Sequence, residues 1–382
     1  MNIAFFTDAF LPMVNGVVTS TINFATHLAK RGHNILIVAP RPKKKISTDL
    51  GKNIRVKLIR GLKAYFYEDF RFTVPATLPL IKELKRFNAD IIHFQTQFTL
   101  GWEAIMCAKI MRLPLIGTFH TYISEPGYLK HVKLGSVKTM QKIAWRYSNF
   151  FYNKCDLIIS PSNATKKELI RNGVRKPIRV ISNGIEISKF RKFSEHQKKS
   201  IRKKYKINDK TVLFVGRVSH EKSIDKLIES MNIVLKAIPS AKLLVVGDGP
   251  LLKTLKKSKS KNIVFTGRID NQKLISSGLI SACALFATMS KTENQPMTIL
   301  EAMASGLPVV GVDKLGVPEM IKGNGYIAKA DSCSEFAEYI IKILKDSRLR
   351  NKMSGQSLKL AKLGSVENSA VELEKTYLRL IA

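Results

Sequence analysis

Two glutamates flank seven residues in Ser290-Lys-Thr-Glu-Asn-Gln-Pro-Met-Thr-Ile-Leu-Glu301, which runs on into Ala302-Met-Ala-Ser-Gly-Leu-Pro-Val-Val310. Glu293 lies in a polar segment, whereas Pro296 suits the first position of a helix because its φ is fixed and it has no N–H. We therefore predict Glu293 on a loop and Glu301 about a turn and a half into a helix. A Gly-Leu-Pro sequence then ends the helix and a strand begins, as in α/β proteins.

The two acids are expected in the turn region that α/β proteins use for ligands. One carboxylate on a loop and one on a helix would suit a polyhydroxylated ligand such as a sugar nucleotide. Glutamates on exposed helix faces are commonly only solvated, so the spacing gains its meaning from the rest of the chain.

Length and composition favour a two-domain globular protein. The chain has 382 residues and 45% apolar content, which exceeds what one hydrophobic core usually supports. The four cysteines are far apart and form no C-x-x-C pair, which argues against a zinc knuckle or a disulfide framework and fits a reducing cytoplasm. The first residues lack a basic segment and predict a strand, not a signal peptide, and no apolar run is long enough to cross a bilayer.

The formal net charge is +35, and it is spread over the whole chain. Residues 1–190 hold 30 basic and 11 acidic residues, and the remainder holds 34 and 18. Such a field attracts nucleic acids, anionic lipid surfaces or phosphorylated substrates. A general preference for lysine on solvated faces explains it equally well, so the charge alone does not choose among these.

Strands and helices alternate in the first part of the chain, beginning with a βαβ unit. Strands are predicted near residues 2–6, 34–39, 54–59, 90–94, 115–119, 157–160 and 178–181. Helices are predicted near residues 17–30, 76–87, 102–112, 135–153 and 164–171.

A second alternating series follows the basic run 191–206, which we interpret as a short helix and linker with a solvated surface. Its strands are predicted at 212–216, 242–246, 263–266, 284–288 and 309–312, and its helices at 222–238, 249–257 and 271–277. The domains are predicted at 1–182 and 183–365. The final helix, 366–382, could belong to either and is a candidate to pack back on the first.

Loops that follow predicted strands carry the candidate ligand-binding residues. Gly16 opens a helix, whose N-terminal N–H groups attract anions, although Asn-Gly is also an ordinary turn. Arg217 and Lys222 could clamp a diphosphate; otherwise they are surface charges at a helix start, where a cation opposes the helix dipole. His120 follows an apolar strand and could donate to a sugar or phosphate, or be a structural histidine. His93 follows the preceding strand in a similar way and is the weaker candidate for ligand binding.

Eight segments occur in a specific order and spacing. They are Asp8 to Gly16-Val-Val18, Thr118-Phe-His-Thr121, Ser182-Asn-Gly-Ile185, Val215-Gly-Arg217 with Glu221-Lys222, Val246-Gly-Asp-Gly-Pro250, Phe265-Thr-Gly267, Glu293 to Glu301, and Gly316-Val-Pro-Glu319. In this order they resemble glycosyltransferase family 4 over nearly the whole chain. The resemblance implies an α/β GT-B fold of two Rossmann-like doubly wound domains facing across a cleft, with the acceptor on the first and the nucleotide sugar on the second.

The resemblance also implies roles for individual residues. Arg217 and Lys222 would bind the diphosphate, Glu301 the ribose and Glu293 the donor sugar, while Gly16 and His120 would line the donor side of the cleft. The catalytic set implied is His120, Arg217, Lys222 and Glu293. The base would lie at Thr266, Gly267 and Arg268, and the sugar-binding loop would comprise Asn294, Gln295, Pro296 and Met297.

One residue departs from the family pattern. Family members commonly have glycine at the position of Pro296, where loop amides help to hold the sugar and phosphate, and proline has no N–H to donate. The neighbouring amides remain, so we expect altered sugar contacts with activity retained.

Within the family, the chain most resembles bacterial diacylglycerol glucosyltransferases that use UDP-glucose. The likeness rests on Phe5-Phe-Thr-Asp-Ala-Phe-Leu-Pro12, Asn15-Gly-Val-Val-Thr-Ser20, His93-Phe-Gln-Thr-Gln97, Gly117-Thr-Phe-His-Thr-Tyr122, Tyr128-Leu-Lys130 and Ser290-Lys-Thr-Glu293. Cations beside aromatics around residues 130–154 suit a lipid headgroup interface, although core-packing helices with outward lysines explain them as well. The membrane or acceptor residues expected are Lys130, Lys133, Lys138, Lys142, Trp145 and Arg146.

The expected activity is therefore transfer of a hexose with retention, from a UDP-sugar to a lipid acceptor, on the inner face of the cell membrane. No metal or other cofactor is expected, because Arg217 and Lys222 would stabilise the leaving diphosphate. Another acceptor, such as a phosphoinositide, lipopolysaccharide or polysaccharide, is the main alternative. A nucleic-acid-binding protein and a catalytically silent sugar-nucleotide sensor are further alternatives, and nucleic acid is not an expected partner because the cations form no recognisable RNA-binding motif.

Overall fold

The computed structural model describes residues 1–13, 15–43, 46–63, 70–122, 136–256 and 260–382. Contacts divide the chain into two compact units. The first unit comprises Met1–Gly184 and Val366–Ala382, and the second comprises Ile185–Ser365.

The first unit is built on a parallel sheet of seven strands with the order β3-β2-β1-β6-β7-β8-β9. The strand bounds are β1 Asn2–Phe6, β2 Asn34–Pro40, β3 Ile54–Ile59, β6 Ile91–Phe94, β7 Leu115–Thr118, β8 Leu157–Ser160 and β9 Ile178–Val180, and an antiparallel pair is formed by β4 Gly61–Lys63 and β5 Arg71–Thr73. The helices are α1 Gly16–Lys30, α2 Thr77–Phe87, α3 Thr99–Met111, α4 Val137–Tyr152 and α5 Asn163–Arg171. Central strands such as β1 are almost wholly buried, as expected where helices cover both faces of a parallel sheet.

The second unit has a parallel sheet of six strands with the order β12-β11-β10-β13-β14-β15. The strand bounds are β10 Thr211–Val215, β11 Lys242–Val246, β12 Ile263–Gly267, β13 Leu285–Ala287, β14 Val309–Val312 and β15 Gly325–Ala328. The helices are α6 Glu195–Tyr205, α7 Ile224–Ala237, α8 Leu252–Leu255, α9 Asn271–Ser276, α10 Met297–Ala304, α11 Cys333–Lys345 and α12 Ser347–Leu363. The prediction of two Rossmann-like α/β domains is confirmed.

Several predicted bounds need correction. Lys222 does not start a helix: it ends the 3₁₀ turn His220–Lys222, Ser223 follows with φ +49°, and α7 begins one residue later. The predicted helix 249–257 begins later, as α8 at Leu252, and the Leu251 N–H before it donates to the Val218 carbonyl (3.1 Å); residue 257 falls outside the described residues. The β4/β5 pair, β15, α11 and α12 were not predicted at all.

The final helix α13, Val366–Ile381, belongs to the first unit. Glu374 accepts from the Arg31 Nε (2.8 Å) and bonds the His33 Nε2 (2.7 Å), so α13 is fixed beside α1. The fully buried Tyr377 hydroxyl contacts the His93 Nδ1 at 2.6 Å. Helix α13 is therefore held by contacts with the residues that follow α1 and with His93 on β6. Within the described residues, no helix is both long and apolar enough to span a membrane.

Candidate active site

Strand order creates a crevice at the carboxyl edge of the second sheet. The chain places β11 and β12 on one side of β10 and then returns to place β13 on the other side, so the connections after β10 and β13 leave in opposite directions. Such a switch point is where open α/β sheets bind ligands. The Arg217–Lys222 segment follows β10, and the Glu293 loop follows β13.

Lys222 and Glu293 meet across this switch point. The Lys222 Nζ donates to the Glu293 carboxylate, and the two side chains are only 24% and 17% exposed. The surrounding backbone holds both loops: Ser290 Oγ donates to the Glu221 carbonyl (3.4 Å), and Gly316 N–H donates to the Glu293 carbonyl (3.0 Å). The tertiary structure thus joins two residues that lie 71 positions apart in the chain.

Glycines let three strand ends approach one another closely. Gly216 N–H donates to the Val246 carbonyl (3.0 Å), and Gly247 N–H donates to the Gly267 carbonyl (2.9 Å). A Cβ on Gly247, whose φ is +147°, would lie 1.8 Å from the Gly216 carbonyl oxygen. Only glycine fits there, and the result is a tight backbone floor at the ends of β10, β11 and β12.

Glu301 lies on α10, as predicted, and is only 6% exposed. The Asn271 Nδ2 donates to its carboxyl at 3.1 Å. Burial raises the pKa of Glu301 to about 7, and the hydrogen bond from Asn271 opposes that rise. A carboxyl of this kind is well suited to accept hydrogen bonds from hydroxyl groups, which offset its desolvation.

The start of α10 differs from the prediction. Pro296 is not the first helical residue but the N-cap, with φ −69° and ψ 119°, and Met297 is the first residue of the helix. Asn294 is buried, whereas Gln295 is partly exposed. The segment therefore passes from the loop that holds Glu293 into the helix that holds Glu301, so one short stretch positions both acids.

The other predicted donor-binding residues lie at the same edge of the sheet. Arg217 and Arg268 are exposed, each just beyond the end of a strand. Thr266 is partly buried, and its hydroxyl donates to the Gly267 carbonyl at 2.8 Å. Arg217 directly follows Gly216, and Thr266 and Arg268 flank Gly267, so all three are neighbours of the glycine floor in the chain.

In the first unit, the corresponding switch point lies between β1 and β6. Asp8 is fully buried there and accepts hydrogen bonds from Thr96 Oγ1 (2.7 Å), Thr99 Oγ1 (2.7 Å) and Leu100 N–H (2.9 Å). Burial raises the pKa of Asp8, and these hydrogen bonds oppose that rise. Gly16 is the first residue of α1, and the Asn15 side chain caps that helix.

His120 follows β7, where its Nε2 bonds the Gln95 Oε1 at 3.0 Å. Burial lowers the pKa of His120 to about 4, so the ring is neutral at pH 7. His93 is a structural residue: its ring bonds Tyr377 and the Thr118 hydroxyl, both at 2.6 Å, and burial lowers its pKa to about 3.

Helix α4 presents a cationic and apolar stripe to solvent. Lys138, Lys142, Arg146, Phe150 and Ile143 cover an arc of about 140° on the helix, and all five are exposed. The Lys154 Nζ lies 4.7 Å from the centre of the Phe150 ring.

Trp145 does not join this stripe. Its ring stacks on Phe119 with centroids 6.2 Å apart and contacts Tyr122 edge-on, so it packs inward. The side chain therefore belongs to the aromatic packing beneath α4 and not to the exposed stripe, and its role as a membrane or acceptor residue stays a prediction. Lys130 and Lys133 fall outside the described residues.

Comparison with known proteins identifies the family. The description Glycosyltransferase Family 4 matches residues 14–189, and Glycosyl transferases group 1 matches residues 197–359. The alpha-monoglucosyldiacylglycerol synthase of Streptococcus pneumoniae is 32% identical over 321 residues, which cover 81% of this chain and 70% of the relative. The chain belongs to glycosyltransferase family 4.

Other family members differ in donor. The GDP-mannose-dependent alpha-mannosyltransferase of Mycobacterium tuberculosis is 26% identical and covers 84% of this chain and 81% of its own length. The fold is that of the Anabaena protein HepE, whose crystal structure contains UDP: the TM-score is 0.77 at 21% identity, with 98% and 99% of the two chains covered. The chain is thus a GT-B hexosyltransferase that uses a nucleotide-sugar donor.

Sequence reasoning missed the residues that support the predicted ones. Asn271 follows a strand and a capping Asp270, a pattern that marks a helix start but does not reveal its contact with Glu301. Gln95 lies within a segment used for the resemblance, yet its bond to His120 depends on the adjacency of β6 and β7.

Proposed function

We propose that this enzyme transfers glucose from UDP-glucose to diacylglycerol at an anionic membrane surface, with retention at the anomeric carbon. The observation that carries the proposal is the meeting of Lys222 and Glu293 at the switch point of the second unit. A cation for the diphosphate and a carboxylate for the sugar would then serve adjacent parts of one donor.

The donor is proposed to lie along the carboxyl edge of the second sheet. Arg217 and Lys222 would bind the diphosphate, and Glu301 would accept hydrogen bonds from the ribose. The base would lie at Thr266, Gly267 and Arg268. The glycine floor supports this placement because a Cβ built on Gly267 would meet no atom within 4 Å, so the end of β12 is open to a ligand.

The proposed reaction is a front-face transfer. The bond between the anomeric carbon and the UDP oxygen breaks, the acceptor hydroxyl bonds the same face of that carbon, and its proton passes to the leaving diphosphate. Arg217 and Lys222 would stabilise the charge that develops on the diphosphate, and the reaction is proposed to proceed without a metal. As the family resemblance implies, His120 and Gly16 would line the donor side of the site; the one N–H of the neutral His120 ring faces the Gln95 Oε1 and orients the ring.

The lipid acceptor is proposed on two grounds. The relatives from S. pneumoniae and Acholeplasma laidlawii are named alpha-monoglucosyldiacylglycerol synthases, at 32% and 28% identity. The exposed stripe of α4 combines cations with Phe150 and Ile143, a composition suited to anionic headgroups and the adjoining acyl region.

The decisive assay measures release of the nucleoside diphosphate by the purified protein: UDP from UDP-glucose or UDP-galactose, and GDP from GDP-mannose. Each donor is tested with vesicles of phosphatidylglycerol that contain or lack diacylglycerol, and with EDTA present or absent. Glucolipid formation from UDP-glucose that requires diacylglycerol and tolerates EDTA is the expected result. Transfer from GDP-mannose alone would refute the donor, and transfer indifferent to diacylglycerol would refute the acceptor.

A charge-reversal pair tests the membrane surface. Lys142→Glu with Arg146→Glu should reduce sedimentation with anionic vesicles at least tenfold, because each cation near such a surface contributes about 1 kcal/mol. Lys203→Glu with Lys204→Glu makes the same change in charge on exposed residues of α6 and serves as the matched control. Equal losses in the two variants would refute a specific role for α4.

A further inference from the structure

In the Lys222–Glu293 ion pair, the residue proposed to bind the diphosphate is paired with the residue proposed to bind the donor sugar. As long as Glu293 accepts from the Lys222 Nζ, neither charge is fully available to a ligand. Diphosphate binding to Lys222 therefore requires the lysine to exchange or share its carboxylate partner. The consequence concerns the order and affinity of nucleotide binding, and it rests on the donor site proposed above.

The pair is not needed to join the loops. The hydrogen bond from Ser290 to the Glu221 carbonyl already links the two loops, and the bond from Gly316 N–H to the Glu293 carbonyl ties the Glu293 loop to the segment after β14. The side chains of the pair are about one-fifth exposed, so each charge needs a partner to offset its lost hydration. An exchange of partners is thus possible without dismantling the backbone around the site.

We propose that Glu293 acts as a competing anion that weakens binding of UDP relative to UDP-sugar and so promotes product release. With UDP-glucose, the diphosphate replaces Glu293 on Lys222, and the sugar hydroxyls supply new donors for the displaced carboxylate. With UDP, the diphosphate still displaces Glu293, but no hydroxyl compensates the carboxylate, which then faces the anionic diphosphate. The ion pair re-forms as UDP leaves.

The proposal predicts that one substitution changes the affinity for UDP and the affinity for UDP-glucose to different extents. Glu293→Gln keeps the shape of the side chain and removes its charge. The affinity for UDP should rise on the order of tenfold, because a nearby negative charge has been removed. The affinity for UDP-glucose should rise little or fall, because the amide of Gln accepts hydrogen bonds from sugar hydroxyls more weakly than the carboxylate it replaces. Inhibition of turnover by UDP should strengthen accordingly.

Asp331→Asn is the matched control. Asp331 follows β15 and accepts, at 2.9 Å, from Lys291, which lies on the loop that holds Glu293. This ion pair is at the exposed surface, and the substitution changes the net charge by the same amount as Glu293→Gln. UDP affinity of this variant should stay within twofold of the natural protein.

The experiment is calorimetric titration of the full chain and both variants with UDP and with UDP-glucose, together with the inhibition constant of UDP. Tighter UDP binding by Glu293→Gln with a ratio of UDP to UDP-glucose affinity raised at least tenfold supports the proposal. Equal or weaker UDP binding by that variant overturns it, since the carboxylate would then organise the lysine instead of competing for it. Failure of the natural protein to bind either nucleotide would overturn the proposed function as well.

Discussion

Burial of Glu301 should make the folded protein less stable at neutral pH than at pH 4, and the same carboxylate is proposed to bind the nucleotide. The pKa of this carboxyl is raised from 4.5 to about 7 by burial. Between these values an unfolded chain releases the proton while the folded chain retains it, so stability falls as the pH rises from 4.5 to 7. A difference of about 2.5 pH units corresponds to about 3 kcal/mol at pH 8, where the loss is complete.

Glu301→Gln removes the titration and keeps a carbonyl oxygen for the hydrogen bond from Asn271. Without nucleotide, the variant should be more stable than the natural protein by up to about 3 kcal/mol at pH 8 and by little at pH 4. Its affinity for UDP should nevertheless fall on the order of tenfold or more, because hydrogen bonds from the ribose to a carboxylate are stronger than those to an amide.

Differential scanning calorimetry from pH 4 to pH 8, with and without UDP, measures both effects. The transition of interest is the one that UDP shifts, since the chain has two units. Glu229→Gln, which removes an exposed carboxylate paired with Lys226, should change this transition little and controls for net charge. A stability difference for Glu301→Gln that does not vary with pH, or a variant less stable at pH 8, would refute the reasoning.

Three further predictions follow from individual contacts. Lys222→Ala should lower the turnover number about a hundredfold or more and donor affinity much less, as single-turnover kinetics and titration would show; unchanged turnover contradicts the role. Gly247→Ala should strongly destabilise the second unit, because its Cβ would lie 1.8 Å from a carbonyl oxygen, whereas Gly355→Ala on α12 meets no atom within 4 Å and should be neutral or stabilising in thermal unfolding. Tyr377→Phe should cost about 1 to 2 kcal/mol in urea unfolding, because it removes a buried hydrogen bond to a histidine, and Tyr339→Phe, on a helix surface, should cost less.

Sequence patterns predicted the regular elements best where a single period dominates. The strands at residues 2–6, 157–160 and 242–246 match the structure, because buried parallel strands form short apolar runs between turn residues. The strand at 54–59 also matches: it lies at the edge of the sheet, and its apolar and basic residues alternate at its start. The helix α13 also matched, since its apolar positions repeat with the helical period. The short strand β15 was missed: it contains glycine, and its pairing with β14 is what defines it.

Other features depended on contacts that no local pattern encodes. Sequence motifs assign Glu293 and Lys222 to the pattern of one family. Their ion pair could not be predicted in this way, because it requires β10 and β13 to be neighbours in the sheet. For Trp145 the local pattern was misleading. An aromatic residue among cations suggested an exposed interface, but the ring packs on Phe119.

The sequence by itself determined the family, the two α/β domains and the order of the motifs, because these are written in residue types at fixed spacings. Tertiary structure decided which of those residues meet: the partner of Lys222, the pKa of Glu301 and the side of α4 on which each aromatic lies. The physical reason is that spacing along a chain governs hydrogen bonding within an element, whereas charge pairing and desolvation depend on neighbours brought together by strand order and packing.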